Sequence, residues 1–580
     1  MSAATPLSPI FVLGGHDEVT DRLVDRLGPR AVVHRDALDA DVDAALAANR
    51  PALAVVLATS RLTADGLPDL DDADTLLDVL ARAGVPRLVV AASSQVFEPD
   101  CRHPAMVDET WGTTLREGHA PLAVAWSALE RAFGVEDEAS DAAAGSTPEP
   151  RVALLRAAPV LDPRGRDVLP RLLTGRRAVV SAGFDPTLQL LDPDDLVGAL
   201  MRVIESDEDG VFHVAPAGGV PLRAMLRLAG VARWGGPGPM QGAMRLLDSA
   251  AARELSRLAA PYLRYSFTVK GRRLATMGWQ PRWRADEAIR RFCLPDVDGK
   301  ARRAPSVAEP HDGYDDFGMD RGYIDAKSRG LFGFLHDRYW RIETRGVEHV
   351  PREGPVVLVG IHRGHQPYDG VMLLHLLATR IGRYPRFLIH PSLTKPAFLS
   401  DFMTKLGGVL ASQANADHLL ARGRPLALFP EGIQGAFVPY REAYTLRRFG
   451  RHDYVRMALR HRAPIVPFVT VGSAEIFPIL AKIHWPAFER HTLWPCLPIT
   501  PTMSTVPLPS KWHTQILPSI DLTTSYGPEA ADDARTVRTI GKEIKALMND
   551  RLQAMVAQRK HRFWGSIWDA APEETAEIVP

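Results

Sequence analysis

The chain has 580 residues, too many for a single hydrophobic core, so at least two domains are expected. Its 69 Lys and Arg balance its 69 Asp and Glu, and its three cysteines are too few for a disulfide framework or a cysteine-based metal site. The composition therefore predicts an ordinary globular protein of a reducing cytoplasm, with no metal ion and no nucleic acid among its partners.

The start of the chain, MSAATPLSP, lacks the cationic and apolar regions of a secretory signal. No uninterrupted apolar run approaches the roughly 18 to 20 residues that a helix needs to cross a bilayer. We therefore expect a cytoplasmic protein whose contact with the membrane is peripheral.

The first block of the chain, residues 1–292, alternates short apolar runs with amphipathic stretches of helical length. The runs are IFVL at 10–13, AVV at 31–33, AVVL at 54–57 and RLVVAA at 87–92. This alternation is typical of βαβ units, so the block is predicted to be an α/β domain with a parallel sheet. The segment that follows, 293–330, starts with charged, loop-like sequence and is predicted to be a linker.

The second block, residues 331–580, shows the same alternation and is predicted to be another α/β domain. Its apolar runs lie at 356–360, 386–389, 425–429 and 464–471, and a long helical pattern covers about 532–558.

This second block also carries a local excess of positive charge. Between Arg341 and Arg462 there are 18 Lys or Arg against nine Asp or Glu. Such an excess favours an anionic partner, for example a phosphate, coenzyme A or an acidic lipid surface. An ordinary Arg-rich solvated surface explains the excess equally well.

The first block contains several short motifs in a characteristic order. They are LGG at 13–15, ASSQVF at 92–97, LLRAAP at 154–159, LDPDDL at 191–196 and GVFHVA at 210–215. Together they resemble the extended short-chain dehydrogenase and nucleotide-sugar epimerase family. The resemblance implies a Rossmann-like domain related to enzymes that bind NAD(P).

The residues that carry this family's chemistry are replaced. A dinucleotide site needs G-x-G-x-x-G, whereas residues 14–18 read GGHDE and place two carboxylates where a diphosphate would lie. The family's Tyr-x-x-x-Lys aligns with Val124 and Ala128, and neither side chain transfers a proton. Gly14 and Gly15 are the remaining candidate cofactor-binding residues. We expect a degenerate domain that does not bind NAD(P) productively; the alternative is an NAD(P)-dependent epimerase or dehydrogenase.

The second block contains a histidine at a strand end followed by an aspartate, in GIHRGHQPYDG at 360–370. Acyl transfer to a hydroxyl needs an imidazole as general base, a carboxylate that orients it, and donors for the developing oxyanion. A strand-end histidine and an aspartate in the following helix supply the first two requirements. Asp369 is also a candidate N-cap of that helix, and the two roles are compatible.

This stretch resembles the glycerolipid acyltransferase superfamily, whose usual motif is Asn-His-x4-Asp. His362 directly follows the apolar run, and its spacing to Asp369 fits a subgroup with the longer motif Asn-His-Ser-Gly-x-Leu-Pro-x-Asp-Gly, although Ile361 and Arg363 replace Asn and Ser. Four further blocks follow in the family's order, at 407–415, 428–432, 444–450 and 463–467. The resemblance covers about 339–555.

The resemblance implies roles for individual residues. His362 corresponds to the general base, Asp369 to its orienting partner, and Glu431 and Gly432 to acceptor-binding residues. The acyl donor is acyl-CoA or acyl carrier protein, the acceptor is a lipid, and no cofactor is required. Three interpretations of His365 remain open. It is a loop histidine that is exposed or hydrogen-bonded to backbone, it binds the substrate or the donor phosphate, or it is itself the general base.

The acceptor block departs from the family at the position of its arginine. The usual Phe-Pro-Glu-Gly-Thr-Arg has its Arg replaced by Gln434 here, and Gln cannot make a bidentate, charge-assisted contact to phosphate. Either Arg441, Arg447 or Arg448 substitutes for it, or the acceptor has no phosphate there. Ordinary surface ion pairs would equally explain these arginines.

Two stretches of the second block favour contact with a membrane. LFGFL at 331–335, with Tyr339 and Trp340, could lie in the interface as an amphipathic helix, and 494–508 is rich in proline and apolar residues. Both could instead pack on the core.

The sequence thus predicts a degenerate Rossmann-like domain joined to an acyltransferase at the inner face of the membrane. A non-catalytic lipid-binding scaffold is the remaining alternative.

Overall fold

A computed structural model describes residues 8–35, 40–68, 71–113, 120–135, 150–236, 258–293, 314–446, 449–450 and 452–568. The chain divides into two units, residues 1–318 and 319–580. This division falls inside the segment 293–330 that the sequence analysis assigns to a linker. Within that segment, Arg321–Lys327 is helical and residues 294–313 lie outside the described part.

The first unit is built on a six-stranded parallel sheet in the order β2-β1-β3-β4-β5-β8. The described strands are β1 Ile10–Leu13, β2 Ala31–His34, β3 Leu53–Leu57, β4 Arg87–Ser93, β5 Arg151–Ala157, β6 Arg177–Ser181, β7 Thr187–Leu188, β8 Gly210–Val214, β9 Val220–Pro221 and β10 Ala232–Gly236. Strands β6 and β10 form a parallel pair, and β7 and β9 an antiparallel pair.

Helices connect these strands. They are α1 Glu18–Leu27, α2 Ala40–Asn49, α3 Asp71–Arg82, α4 Pro121–Ala132, α5 Val168–Thr174, α6 Pro193–Glu205, α7 Leu222–Leu228, α8 Arg272–Thr276 and α9 Ala285–Cys293. The central strands are buried along their whole length, as expected for parallel strands covered by helices on both faces. The predicted Rossmann-like architecture is confirmed, and its strand order reverses direction between β1 and β3.

The second unit is built on a seven-stranded sheet in the order β11-β19-β16-β12-β15-β13-β14. Its strands are β11 Glu343–Arg345, β12 Val356–Gly360, β13 Arg386–Ile389, β14 Gly408–Leu410, β15 Pro425–Leu428, β16 Ile465–Val471 and β19 His513–Ile516. A separate antiparallel hairpin consists of β17 Ala481–Ile483 and β18 Leu497–Ile499. Strand β19 runs antiparallel to β16, and β11 runs parallel to β19. The other neighbouring pairs are parallel.

The helices of the second unit begin before its first strand and end near residue 558. They are α10 Arg321–Lys327, α11 Tyr368–Ile381, α12 Leu399–Lys405, α13 Gln413–Ala421, α14 Gly432–Ala436, α15 Asp453–Arg460, α16 Pro486–Thr492 and α17 Ala534–Gln558, with π-helical turns at Ser328–Phe332 and Leu335–Tyr339. The predicted second α/β domain is confirmed.

Strand β12 is central to this sheet and positions the predicted histidine. It pairs in parallel with β15 on one side and β16 on the other. Its last residue, Gly360, packs so closely on Phe468 that a Cβ there would overlap the phenyl ring. Because the carboxyl ends of parallel strands lie at the same edge, the loop after Gly360 comes close to the loop that follows Leu428.

Candidate active site

His362 and Asp369 are brought together by the loop between β12 and α11. Nδ1 of His362 lies 2.9 Å from Oδ2 of Asp369, and the same oxygen accepts a hydrogen bond of 2.9 Å from the backbone N–H of Arg363. The Asp369 side chain is 1% exposed and that of His362 is 14% exposed. A carboxylate at Nδ1 holds the proton on that nitrogen, so Nε2 is the nitrogen that can accept a proton from a substrate.

Asp369 lies in the first turn of α11 without capping it. The helix begins after Pro367, and none of its first N–H groups bonds to the Asp369 carboxylate. The N-cap role that the sequence allowed for Asp369 is therefore absent, because the side chain turns back to the loop and bonds to His362 and Arg363.

Arg363 anchors this loop to the block that carries Glu431. Its guanidinium forms a buried ion pair with Glu431, with Nη2 lying 3.3 Å from Oε1 and Nη1 also bonding to Oε2. The two side chains are 2% and 1% exposed. Arg363 also donates to the carbonyl oxygens of His362, Ala443 and Thr445. A single side chain thus ties together three stretches around the histidine.

Glu431 is positioned by Arg363, and acceptor binding by its carboxylate stays a prediction. Both of its oxygens bond to the buried guanidinium, which indicates a structural role. Gly432 has a φ of 59°, a left-handed conformation that favours glycine. The Phe429 ring lies 5.0 Å from the His362 ring, so this block does contact the histidine.

His365 is buried, which contradicts the reading of an exposed or backbone-bonded loop histidine. It is 4% exposed, and neither ring nitrogen has a hydrogen-bond partner among the described residues. Its ring packs against the rings of Phe437, Phe477 and Trp494 at 5.3 to 5.8 Å. Burial, with a smaller contribution from His362, lowers the pKa of His365 to about 4, so its imidazole is neutral at pH 7.

The candidate phosphate-binding arginines lie at the surface or outside the described residues. The Arg441 side chain is 83% exposed and pairs with the adjacent Glu442 through Nε and Oε1, which are 3.3 Å apart. Arg447 and Arg448 fall outside the part of the chain that the structure describes. Gln434, at the position of the family's arginine, is exposed.

A small cavity of about 10 Å³ lies behind Asp369, with room for about one water molecule. Its lining includes Thr470, Thr514 and Trp512. Within the described ranges, Oδ1 of Asp369 and Nε1 of Trp512 make no hydrogen bond to protein. The cavity is too small for an acyl chain or a lipid.

In the first unit, Gly14 and Gly15 are explained by packing. A Cβ on Gly14 would lie 2.5 Å from the Thr20 side chain, and one on Gly15 would lie 2.6 Å from the carbonyl oxygen of Ser60. Val124, at the family's tyrosine position, is an exposed residue of α4.

A buried ion pair lies close to that position in the sequence. Glu130 accepts two hydrogen bonds from Arg156, of 2.9 and 2.7 Å, and both side chains are buried. This pair has the geometry of a structural ion pair.

In the part of the chain that the structure describes, no group of three or more His, Cys, Asp or Glu is placed to hold a metal ion. No helix of that part is long and apolar enough to cross a membrane.

Comparison with known proteins gives a family for the second unit. Residues 341–471 match the family model described as Acyltransferase. The uncharacterized protein Rv0502 of Mycobacterium tuberculosis is 32% identical over 257 residues, which are 43% of this chain and 72% of that protein. Phytyl ester synthase 2, chloroplastic, of Arabidopsis thaliana is 34% identical over 144 residues, 24% of this chain and 20% of that protein.

Nucleotide-sugar enzymes are among the solved structures that are similar to the first unit. UDP-glucose 4-epimerase of Thermotoga maritima, solved with UDP-glucose, is 15% identical and covers 49% of this chain and 97% of its own, with a TM-score of 0.35. The Thermus thermophilus enzyme, solved with NAD, is 18% identical with the same coverages and a TM-score of 0.36.

Proposed function

The chain belongs to the same family as the mycobacterial protein Rv0502 and carries an acyltransferase domain at 341–471, and we propose that His362 and Asp369 catalyse transfer of a fatty acyl group to a lipid hydroxyl. The observation that carries this proposal is the 2.9 Å contact between Nδ1 of His362 and the buried Asp369 carboxylate. A positioned general base contributes roughly 10²- to 10⁴-fold to such a reaction.

In the proposed reaction, Nε2 of His362 takes the proton of the acceptor hydroxyl as its oxygen attacks the thioester carbonyl of acyl-CoA or acyl carrier protein. A carbon–oxygen bond forms, the carbon–sulfur bond breaks, and the leaving thiolate receives the proton from the imidazolium. Asp369 keeps the imidazole oriented and stabilises its charged form. No covalent acyl-enzyme and no cofactor is needed.

The acceptor is proposed to be a glycerolipid-like or lysophospholipid-like alcohol. Neither Gln434, at the position of the family's arginine, nor the exposed side chain of Arg441 provides a buried cation for a phosphate. The name of the plant relative, a phytyl ester synthase, adds a long-chain alcohol to the candidates. The decisive experiment therefore includes phosphorylated and neutral acceptors.

Thiol release from acyl-CoA and acyl carrier protein, followed by mass spectrometry of the lipid product, tests this function. We expect His362→Ala to reduce turnover by roughly 10²-fold or more, because the base is lost. His365→Ala serves as the matched control in the same loop and should retain turnover. If His365→Ala is inactive while His362→Ala is active, the assignment of the base is wrong. Saturable lipid binding without thiol release from any donor would instead support a non-catalytic scaffold.

We further propose that the second unit docks on an anionic lipid surface through one apolar surface. We assign to this surface nine exposed apolar side chains from several segments: Leu331, Phe334, Phe398, Leu480, Ile483, Trp485, Ile499, Met503 and Val506. Trp340, by contrast, is buried and stacks on Trp512 at 4.7 Å, so this part of the predicted interfacial segment packs on the core.

Hydrogen bonds and a ring contact join several segments of the apolar surface. The backbone of Leu480 donates to Ile499 across the hairpin at 2.9 Å. The Tyr339 hydroxyl donates to the carbonyl of Pro507 at 2.7 Å, and its ring stacks on Phe334.

Cations and aromatic rings favour lipid as the occupant. Lys482 lies within the hairpin, and Lys395 donates to the backbone of Arg490 beside it. Cations that flank exposed tryptophan and aliphatic side chains are typical of surfaces that bind acidic lipids.

The apolar surface also connects to the active-site loop. Ring contacts run from Trp485 to Phe488, from Phe488 to Trp494 and from Trp494 to His365, at 5.5 to 6.3 Å. We propose that these contacts place the apolar surface beside the loop that carries His362, so that this loop faces lipid at the inner face of the membrane.

Sedimentation with vesicles of phosphatidylcholine, with and without phosphatidylglycerol, tests the docking surface. We expect the protein to bind the anionic vesicles and to lose binding in Ile483→Ser/Trp485→Ser and at high salt. Trp111→Ser, which removes an exposed tryptophan of the first unit, is the matched control and should bind normally. Unchanged vesicle binding by the double variant would contradict the proposal.

A further inference from the structure

The N-terminus of α1 lies at the point where a Rossmann-like sheet ordinarily binds the diphosphate of a dinucleotide. It follows the carboxyl end of β1, next to the reversal of strand order between β1 and β3. A diphosphate binds there because the first N–H groups of a helix have no partner within the helix. The partners of these N–H groups therefore decide whether NAD(P) fits.

The first N–H groups of α1 already have partners within the protein. Oδ2 of Asp162 accepts from the backbone N–H of Glu18 at 2.7 Å and from that of Val19 at 3.2 Å. The N–H of Thr20 bonds to Oδ1 of Asp17 at 2.8 Å. The donors that would hold a diphosphate are thus bonded to two carboxylates.

The glycine loop before α1 is closed in the same way. The N–H of Gly15 donates to the Thr20 hydroxyl at 3.0 Å, and the carbonyl of Gly15 accepts from Arg35 at 3.1 Å. Gly14 lies so close to Thr20, and Gly15 so close to Ser60, that a Cβ on either glycine would overlap its neighbour.

Asp162 is held firmly in this position. Its second oxygen accepts from the backbone N–H of Arg164 at 2.8 Å, and the residue is buried. Arg164 in turn forms an ion pair of 2.6 Å with Asp21 of α1. The carboxylate therefore reaches α1 from a loop more than 140 residues away, and a second contact braces that loop against the same helix.

The charge of the site also opposes a dinucleotide. Burial, and then the nearby Asp17 carboxylate, raise the pKa of Asp162, although its three backbone hydrogen bonds favour the charged form. A diphosphate would bring further negative charge against two carboxylates and would have to displace Asp162. The residues present do not fit NAD(P).

We propose that Asp162 is a built-in anion that takes the place of the cofactor diphosphate, so that the first unit maintains its fold without NAD(P). The unit is then a structural or binding domain whose former cofactor site is closed by its own chain. This inference is independent of the acyl-transfer proposal, because it concerns only residues of the first unit.

Thermal unfolding of the full chain, titrated with NAD⁺, NADP⁺ and inorganic pyrophosphate, tests this inference. The wild-type unfolding midpoint should not respond to any of the three. Asp162→Ala should unfold at a lower temperature, and pyrophosphate should raise its midpoint in a saturable way, because the N–H groups of Glu18 and Val19 are released. Asp162→Ser, which retains one acceptor, is the second variant if the alanine variant does not fold.

Asp192→Ala is the matched control. Asp192 is also buried, and its carboxylate accepts a hydrogen bond of 2.9 Å from the backbone N–H of Asp194 in the first turn of a helix. It lies outside the β1–α1 loop. Its loss should lower the midpoint without creating a response to pyrophosphate. Saturable binding of NAD⁺ or NADP⁺ to the wild-type chain would overturn the inference. So would a response of the Asp162 variants no larger than that of Asp192→Ala.

Discussion

Replacing Glu431 by Gln is expected to destabilise the fold, because the buried Arg363 guanidinium would lose its charge partner. Both side chains are almost fully buried, and two pairs of atoms join them. Removing one partner of a buried ion pair typically costs about 3–5 kcal/mol, since the remaining charge stays in a medium of low polarity. Glu431→Gln keeps one acceptor oxygen, so we expect a loss near the lower end of that range.

A double variant distinguishes the ion pair from its individual members. Arg363→Met alone leaves the Glu431 carboxylate buried and unpaired, and should cost a similar amount. Arg363→Met/Glu431→Leu removes both charges, and its free energy of unfolding should lie much closer to wild type than the sum of the single changes. Turnover should remain low in the double variant, because Arg363 also holds the carbonyls of His362 and Ala443.

Urea unfolding and steady-state kinetics of the four proteins provide the measurement. A structural Glu431 predicts a lower free energy of unfolding, and a lower kcat from a displaced His362. An acceptor-binding Glu431 predicts unchanged stability with a raised KM. An unchanged free energy of unfolding in Glu431→Gln would refute the reasoning.

Three further changes give separate outcomes. Burial lowers the pKa of His365 from an ordinary 6.5 to about 4. The neutral imidazole therefore contributes stability that is fully present above pH 6.5 and is lost as pH falls through 4, a loss of about 3 kcal/mol in the free energy of unfolding. Urea unfolding of His365→Phe, which has no titratable ring, should not show this loss. Burial raises the pKa of Asp167 to about 6 from an ordinary 3.8, so the stability that its protonated form contributes is present below pH 3.8 and is lost as pH rises through 6. The free energy of unfolding of Asp167→Asn should therefore gain about 3 kcal/mol relative to wild type between those pH values. A difference between the two proteins that does not change with pH would contradict this. Gly360→Ala should cost about 1–3 kcal/mol through overlap with Phe468, and Phe468→Leu should recover part of the loss in thermal unfolding.

The strands of both units were readable from the sequence where they are buried on both faces. The predicted runs at 356–360 and 386–389 coincide with β12 and β13, because parallel strands covered by helices read as continuous apolar segments. Strands β11 and β19 had no such signal. Their sequences, ETR and HTQI, are short and polar, and they pair at the edge where the sheet becomes antiparallel.

The candidate site was predictable to the extent that its contacts are local. His362 and Asp369 are seven positions apart, and one strand end and one helix start bring them together. The Arg363–Glu431 pair spans 68 positions and depends on β12 and β15 being neighbours. No pattern of spacing could reveal that contact, and in the sequence Arg363 is visible only as a departure from a motif.

The two units place a carboxylate at equivalent positions, near the first helix turn that follows a parallel strand, with opposite chemical consequences. In the first unit, both oxygens of Asp162 accept hydrogen bonds from backbone N–H groups. In the second, Oδ2 of Asp369 lies 2.9 Å from Nδ1 of the His362 imidazole, and we propose that the other ring nitrogen receives the proton of the substrate. Proton transfer needs a titratable group that substrate can reach, and a carboxylate buried among backbone donors only stabilises the fold. This difference is the physical basis of two proposals: acyl transfer by His362, and a structural or binding role for the Rossmann-like unit.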